Sequence, residues 1–144
     1  MAPKMVIGLV ERVKLKGDKR AVTTLAKIDT GAKWCSIDRK LAKRIGAKIV
    51  KIKKVKSTLG KQKRRLVEFE VEIYGRKFKA KATVADRSKM HYLVLLGRNI
   101  LFRNFIVDVE RTNKSPSEYD VKDILKRDLK KLKKLKKSFG YVVK

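Results

Sequence analysis

The sequence predicts a mainly β protein, a closed β-barrel or sandwich with short helices, followed by a basic C-terminal α-helix. Residues 67–73 and 77–84 alternate apolar and polar side chains, as the two strands of a hairpin do. Short apolar runs at 22–28 and 93–96 are each followed by a turn signal that contains glycine. Residues 121–139 instead repeat apolar side chains every three or four positions, which is typical of an amphipathic helix.

The charge of the chain is its most unusual property. Its 144 residues include 41 Lys and Arg against 14 Asp and Glu, a net charge of +27, although the hydrophobic fraction of 43% is ordinary. This length predicts one globular domain, which we place at residues 1–113, with a basic helix and tail at residues 114–144. A charge imbalance of this size predicts a polyanionic partner.

The chain carries no recognisable targeting or membrane signal. No segment reaches the roughly 18 uninterrupted apolar residues that a membrane span needs, and the first residues lack the apolar core of a signal peptide. The single cysteine, Cys35, forms no internal disulfide, which agrees with a reducing compartment. We therefore expect a cytoplasmic protein without a membrane partner.

Two predicted strands lead the chain to the sequence Asp-Thr-Gly-Ala at positions 29–32. Residues 6–15 and 22–28 are rich in β-forming side chains, and the Lys-Gly-Asp-Lys sequence at 16–19 is a turn signal between them. The two strands therefore form a hairpin, and the Asp29 carboxylate projects from the end of its second strand.

A short helix and a lysine-rich strand follow. Asp38 is a residue type that caps helix N-termini, and Gly46 is one that ends helices. Leu41 and Ile45 share one face of the helix between them. Residues 49–55 are predicted to form the next strand.

No acidic residue occurs between Arg39 and Leu66, although this stretch contains thirteen Lys and Arg side chains. Solvation of a surface explains short runs of charge, but a run of one sign and this length more often contacts a polyanion. A second concentration of lysines covers the predicted C-terminal helix. The predicted RNA-binding residues are Arg39, Lys40, Lys43, Arg44, Lys48, Lys51, Lys53, Lys54, Lys56, Lys61, Lys63, Arg64, Arg65, Lys130, Lys131, Lys133, Lys134, Lys136 and Lys137.

The clearest hairpin covers residues 67–84. A two-residue turn at Gly75-Arg76 gives a register that buries apolar side chains on one face and pairs opposite charges on the other. The predicted pairs are Ile73 with Phe78, Val71 with Ala80, Glu72 with Lys79, and Glu70 with Lys81.

The last elements of the domain follow an apolar run at 93–96. Gly-Arg-Asn at 97–99 opens a short helix, and residues 105–109 are predicted to form a buried strand that closes the domain. Ser-Pro-Ser-Glu at 115–118 is then a capping box with proline at the first helical position, which starts the C-terminal helix.

In this order and spacing, the sequences at 29–32 and 95–99 resemble the retropepsin-like aspartic peptidases, and most closely the small cellular branch labelled ATP-dependent zinc proteases. The resemblance covers about residues 5–110 and implies a retropepsin-like closed β-barrel. It makes Asp29, Thr30 and Gly31 the active-site turn. The other motif positions that it identifies are Ala32, Ser36, Gly97, Arg98 and Asn99.

Peptide hydrolysis by this family needs two aspartates that share one proton. The chain has one Asp-Thr-Gly sequence, so the resemblance implies a homodimer with Asp29 from each subunit across a two-fold axis. In dimeric viral relatives an acidic residue four positions after the aspartate pairs with the motif arginine. Lys33 stands there in this chain, so Arg98 needs another partner. The alternative is a structural turn, with Asp29 hydrogen-bonded to backbone amides.

The sequence offers no metal site and no cofactor motif. It has one histidine, His91, and one cysteine, Cys35, and it lacks the His-Glu-x-x-His pattern of zinc peptidases. We predict that His91 lies at the surface and that Cys35 is a small core residue. No metal or other cofactor is expected.

The favoured hypothesis is an RNA-binding, ribosome-associated protein that works as a monomer and contacts rRNA phosphates through its basic surfaces. Ribosomal proteins are further partners under this hypothesis. Residues 57–62 occupy the place of the retropepsin flap, but the lysines and arginines that follow suit a polyanion better than a dry peptide cover. The alternative is a homodimeric aspartic endopeptidase that uses Asp29 of each subunit, and a third is a peptide-binding module with an inactive Asp29.

Overall fold

The computed structural model describes residues 3–57 and 60–111. The predicted C-terminal helix and the domain boundary after residue 113 lie outside this range, so both stay predictions. The same holds for six predicted RNA-binding residues, namely Lys130, Lys131, Lys133, Lys134, Lys136 and Lys137.

Strands dominate the described residues, as the sequence predicts. Two short helices interrupt nine strands in this part of the chain. In order, the elements are β1 (Met5–Ile7), β2 (Val10–Lys16), β3 (Ala21–Ile28), β4 (Cys35–Asp38), α1 (Arg39–Ile45), β5 (Lys48–Ser57), β6 (Gly60–Ile73), β7 (Arg76–Ala85), β8 (Val94–Leu96), α2 (Arg98–Leu101) and β9 (Phe105–Val107).

Six of these strands close into a barrel. The main sheet has the order β2-β3-β8-β4-β7-β6-β5, and β6 also pairs with β2, which joins the two ends of the ring. The long strand β6 makes this possible because its first part pairs with β5 and its residues 70–72 pair with β2. β5 therefore lies outside the closed ring, and β1 and β9 form a separate parallel pair.

The barrel interior is filled by side chains that alternate along the strands. Leu15 on β2, Ile37 on β4, Ile73 on β6 and Leu96 on β8 are all fully buried. Burying a side chain of this size contributes roughly 1.5–3 kcal/mol relative to leaving it in water. The strand alternation seen in the sequence is thus the pattern that builds the core.

The β6–β7 hairpin forms, but the predicted register is wrong by two residues. The turn is Tyr74-Gly75, and both residues have positive φ angles, 48° and 80°. Two-residue turns of this kind match the twist of the strands that they join. The observed pairs are Ile73 with Arg76, Val71 with Phe78, Phe69 with Ala80, Glu72 with Lys77, Glu70 with Lys79, and Glu68 with Lys81. Because the shift is even, the apolar side chains stay on the buried face.

The predicted strand at 6–15 is in fact two strands, β1 and β2, which are separated at Gly8-Leu9. The Gly8 amide donates a hydrogen bond to Glu11 Oε1 at 2.9 Å. A Cβ atom at Gly8 would lie 2.3 Å from the carbonyl oxygen of Arg111, so the close approach of that backbone requires glycine.

The predicted buried strand at 105–109 is shorter and less buried than expected. β9 ends at Val107 and pairs with β1 outside the barrel. Phe105 is buried, whereas Ile106 is 52% exposed. A strand that covers the barrel with one face leaves its other face in solvent. The apolar composition of residues 105–109 does not indicate that one face is exposed.

The predicted α1 helix is confirmed, with Asp38 as its N-cap. Asp38 Oδ2 accepts hydrogen bonds from the amides of Lys40 and Leu41 at 3.1 and 3.4 Å. Gly46 ends the helix in the left-handed conformation with a φ of 73°. Neither α1 nor α2, the helices of the described residues, could span a membrane.

Replacing Asp38 by alanine should destabilise the protein by about 2–3 kcal/mol. Asp38 is 4% exposed, and its Oδ1 also accepts a hydrogen bond from the Arg87 amide at 2.9 Å, so the substitution removes three acceptor contacts at once. Urea denaturation measures the change in the free energy of unfolding. The control is Asp18→Ala, because Asp18 is exposed, and it should change stability by less than about 0.5 kcal/mol. Equal effects of the two substitutions would contradict the capping role.

Candidate active site

The Asp29 carboxylate stands at the end of a barrel strand. Along β3 the side chains of Ala26 and Ile28 point into the core, so Lys27 and Asp29 lie on the opposite face. The Asp29 amide donates a hydrogen bond to the Leu96 carbonyl of β8 at 2.9 Å. The neighbouring strand thus fixes the backbone of this residue while its side chain remains half-buried.

The turn after Asp29 orients its carboxylate. The Gly31 amide donates to Asp29 Oδ1 at 2.9 Å, and the Ala32 amide donates to the Asp29 carbonyl at 3.3 Å. Asp29 Oδ2 has no hydrogen-bond partner among the residues that the structure describes. One oxygen is therefore held by the backbone and the other is available to a ligand. The hydrogen bond to a backbone amide is also what a structural turn requires.

Arg98, at the start of α2, holds the turn from the other side. Its Nη1 atom donates to the carbonyls of Thr30 and Gly31, each at 3.2 Å. Its amide donates to the Ala32 carbonyl at 2.7 Å. The predicted need for another partner is thus met by backbone carbonyls, which replace the carboxylate that Lys33 cannot supply.

Asn99 joins the same turn to two further strands. Its Oδ1 atom accepts hydrogen bonds from the Cys35 amide at 3.0 Å and from Cys35 Sγ at 3.2 Å. Its Nδ2 atom donates to the Lys81 carbonyl of β7 at 2.7 Å, and its amide donates to the Lys33 carbonyl at 3.1 Å. The side chain of Asn99 therefore ties β4 to β7, and its backbone amide adds the turn.

Gly97 allows α2 to approach the turn closely. A Cβ atom there would lie 2.5 Å from the Trp34 carbonyl oxygen and 2.9 Å from that of Ala32. The Gly97 amide donates to Cys35 Sγ at 3.4 Å. The structure thus brings the two sequence motifs into direct contact. Of the predicted site residues, Gly97 is buried, Asp29, Ala32 and Ser36 are half-buried, and Thr30, Gly31, Arg98 and Asn99 are exposed.

Arg87 is a buried cation beside the site that the sequence does not reveal. It is 8% exposed, and it donates from Nε to the Tyr92 carbonyl at 3.0 Å and from Nη1 to Ser36 Oγ at 3.4 Å. Burial lowers the pKa of its guanidinium, and the carboxylates of Asp38 and Asp29 oppose this shift. Only the tertiary packing distinguishes this side chain from the other 40 Lys and Arg side chains of the chain, which has 41 in total.

Within residues 3–57 and 60–111 there is no group of three or more His, Cys, Asp or Glu side chains that could hold a metal ion. His91 is exposed, as predicted. Cys35 is fully buried, also as predicted, and burial raises the pKa of its thiol to about 11. A thiol that stays protonated near neutral pH is a poor nucleophile.

The comparison with protein families decides where this chain belongs. Residues 38–118 match the model of the RimB-like family, described as the retropepsin-like aspartic endopeptidase RimB. The matched range is more than half of the 144 residues. The chain belongs to this family. The match begins after the Asp29 turn, so the geometry of that turn is an independent observation on this RimB-like chain.

Solved structures confirm the retropepsin-like fold of the RimB-like chain. One is a protein of unknown function from Legionella pneumophila, with a TM-score of 0.50 and 22% identity, covering 74% of this chain and 94% of that one. Another is the simian foamy virus protease, with a TM-score of 0.50 and 16% identity, covering 64% of this chain and 90% of that one. No curated protein sequence matches the chain.

The predicted RNA-binding cations of the RimB-like chain lie on α1 and on the β5–β6 hairpin, apart from the motif residues. Lys54 faces Lys63 across the hairpin, and Lys56 faces Lys61. Arg64 is half-buried, and Arg39, Lys40, Lys43, Arg44, Lys48, Lys51, Lys54, Lys56, Lys61, Lys63 and Arg65 are exposed. The ion pairs in the described part of the chain, Lys77–Glu70 and Arg111–Asp108, involve none of them.

The buried thiol predicts a loss of stability at high pH. An unfolded chain releases the Cys35 proton near the ordinary pKa of 9.0, whereas the folded chain keeps it up to about 11. Stability is therefore unaffected by this group below about pH 9 and falls as the pH rises toward 11, by about 2 kcal/mol at about pH 10.5. Urea denaturation of the wild type and of Cys35→Ala under reducing conditions isolates the contribution of Cys35 ionisation to the free energy of unfolding. The stability difference between them should shift in favour of the alanine variant as the pH rises, and a constant difference would contradict the burial argument.

Proposed function

We propose that this RimB-like chain is an aspartic endopeptidase that works as a homodimer with one Asp29 from each subunit. The observation that carries the proposal is the Asp29 turn, a carboxylate at a strand end with one oxygen held by the Gly31 amide. Family membership and the retropepsin-like fold support it.

The reaction requires both aspartates of the dimer. One Asp29 is ionised and takes a proton from a water molecule, whose oxygen attacks the carbonyl carbon of the peptide bond. The other Asp29 is protonated and transfers its proton to the carbonyl oxygen, which gives a tetrahedral diol. The first Asp29 then gives the proton that it took from water to the amide nitrogen as the C–N bond breaks. A diol hydroxyl returns a proton to the second Asp29, and a carboxylic acid and an amine are released.

The remaining residues of the turn act by positioning. The Gly31 amide fixes Oδ1, which leaves Oδ2 in a defined direction. Arg98 holds the Thr30 carbonyl directly after Asp29, and Asn99 holds the Cys35 amide after the turn. A site held rigidly in this way needs little reorganisation when the reaction occurs. The resemblance to retropepsins assigns the flap to the β5–β6 hairpin, and its cations favour an acidic polypeptide as a test substrate.

Asp29→Asn should abolish peptidase activity, lowering the rate by roughly 10²–10⁴-fold, because an amide neither accepts nor donates the proton that the reaction transfers. Cleavage of unfolded casein between about pH 4 and pH 7 measures the effect, and a statine-like inhibitor should block the wild type. Asp18→Asn is the control and should retain full activity, because Asp18 is an exposed carboxylate outside the turn.

The oligomeric state gives a second, independent result for the same proposal. Each subunit carries +27, so two subunits bring together +54 and the dimer should dissociate as salt is removed. Sedimentation of the wild type should show a dimer at physiological salt. A stable monomer there, together with casein cleavage unaffected by Asp29→Asn, would overturn the proposal.

The second candidate is a monomeric, cytoplasmic RNA-binding protein that attaches to the ribosome. The observation that favours it is the pairing of like charges across the β5–β6 hairpin, Lys54 with Lys63 and Lys56 with Lys61. Like charges that face each other destabilise a hairpin, and a polyanion offsets their repulsion. Ribosomal RNA is a polyanion that suits such a surface, with ribosomal proteins as further partners.

Replacing these four lysines by glutamine should flatten the salt dependence of RNA binding. Each phosphate contact changes the slope of log K against log salt by about 0.7–0.9, so the loss of all four should reduce it by about 3. Fluorescence anisotropy with a labelled rRNA fragment, and co-sedimentation with ribosomal subunits, measure the change. The control replaces Lys4, Lys14, Lys79 and Lys89, which are exposed lysines outside the hairpin. Equal slopes for both variants would mean that the hairpin charge makes no specific contact.

A further inference from the structure

A groove separates α1 from the base of the β5–β6 hairpin. Its volume is about 520 Å³, which is within the range of pockets that hold a small molecule. Its lining comes from α1, from the turn between β2 and β3, and from β5, β6 and β7. None of its residues belongs to the Asp29 turn, to α2 or to the Arg87 contacts, so the groove is distinct from the candidate active site.

Four cations line this groove. Arg39 and Lys43 are one helical turn apart on α1, Lys19 comes from the β2–β3 turn, and Arg65 comes from β6. Asp18 is the one carboxylate in the lining. None of the four cations forms an ion pair within the described residues. The groove thus has an excess of positive charge that its own residues do not neutralise.

The floor of the groove is apolar. Ala42, Ala47, Val67 and Val84 form this floor, since they are buried or half-buried lining residues, and Ile49 lines the groove with 56% of its surface exposed. An exposed isoleucine in the same groove as four cations offers contact to a ligand that has both charge and a flat apolar face. Cations that serve only to keep a surface solvated do not require an apolar floor beside them.

We propose that this groove holds a segment of single-stranded RNA, with phosphates bound by Arg39, Lys43, Lys19 and Arg65, and an unstacked base packed on the floor beside Ile49. The proposal rests on the second candidate function and names a site for it. Guanidinium groups bind phosphate oxygens through two parallel hydrogen bonds, and Arg39 and Arg65 provide two such groups. The strand is single because only an unstacked base presents its face to the floor.

An acidic peptide accounts for less of this geometry. Carboxylate side chains would bind the cations but would leave the apolar floor uncovered. A peptide substrate would also have to reach Asp29, and the groove contains no residue of that turn. RNA is the ligand class that contacts both the cations and the apolar floor of the groove.

The experiment separates the electrostatic and the apolar contributions. Anisotropy measures binding of a labelled oligouridine of about 12 nucleotides between about 50 and 300 mM KCl. The double variant Lys43→Gln/Arg65→Gln should reduce the salt slope by about 1.4, since each contact with single-stranded RNA contributes about 0.7. Ile49→Ser should weaken binding about 3- to 10-fold without changing the slope, because it removes apolar contact and no charge.

The control is Lys14→Gln/Lys89→Gln, which removes two exposed lysines outside the groove and should change neither quantity. Thermal unfolding of every variant verifies that the fold is intact. All the substituted side chains are exposed, so no large loss of stability is expected.

Three results would overturn the proposal in distinguishable ways. If the wild-type protein does not bind the RNA at physiological salt, both the second candidate function and the proposed RNA site in the groove are rejected. RNA binding that is unchanged in the groove variants rejects the groove as the binding site but leaves the second candidate function standing. An acidic peptide of equal charge that competes equally well, with the same dependence on Lys43 and Arg65 and none on Ile49, identifies the occupant as a polypeptide.

Discussion

The hydrogen bonds between α2 and the Asp29 turn are the interaction on which the rest of the site depends. Arg98 and Thr30 are 68 residues apart in the chain, and the pairing of β3 with β8 brings them together. β8 lies between β3 and β4 in the ring, so it both accepts the Asp29 amide and delivers α2 to the turn. The geometry of the carboxylate therefore depends on the pairing of β3 with β8, and a change that separates these two strands would also disorder the site.

Features with a local physical cause could be predicted from the sequence. Asp38 and Gly46 mark the ends of α1 because a capping carboxylate and a left-handed residue act within one helical turn. The Asp-Thr-Gly and Gly-Arg-Asn motifs, through their resemblance to a known family, and the alternating strands identified the fold. These signals needed no knowledge of distant residues.

Features set by distant contacts could not be predicted. Tyr74 adopts a positive φ that bulky residues rarely take, so the turn was placed one residue too late and the hairpin register followed. Gly8 breaks the first strand because the backbone of Arg111 approaches it, more than a hundred residues away in sequence. Arg87 is buried because of the residues packed around it, and its residue type alone would predict an exposed side chain. In each case the deciding contact comes from another part of the fold.

The position of β5 outside the closed ring has a further consequence. Among the described residues β5 pairs only with β6, so its outer side is an open sheet edge. An open edge can add a strand from another molecule, and closely spaced lysines discourage this by repelling a second copy. Lys48, Lys51 and Lys54 supply that repulsion along β5. A polyanion that neutralised them would also remove the barrier to self-association, so the bound protein would be more prone to edge-to-edge aggregation than the free one.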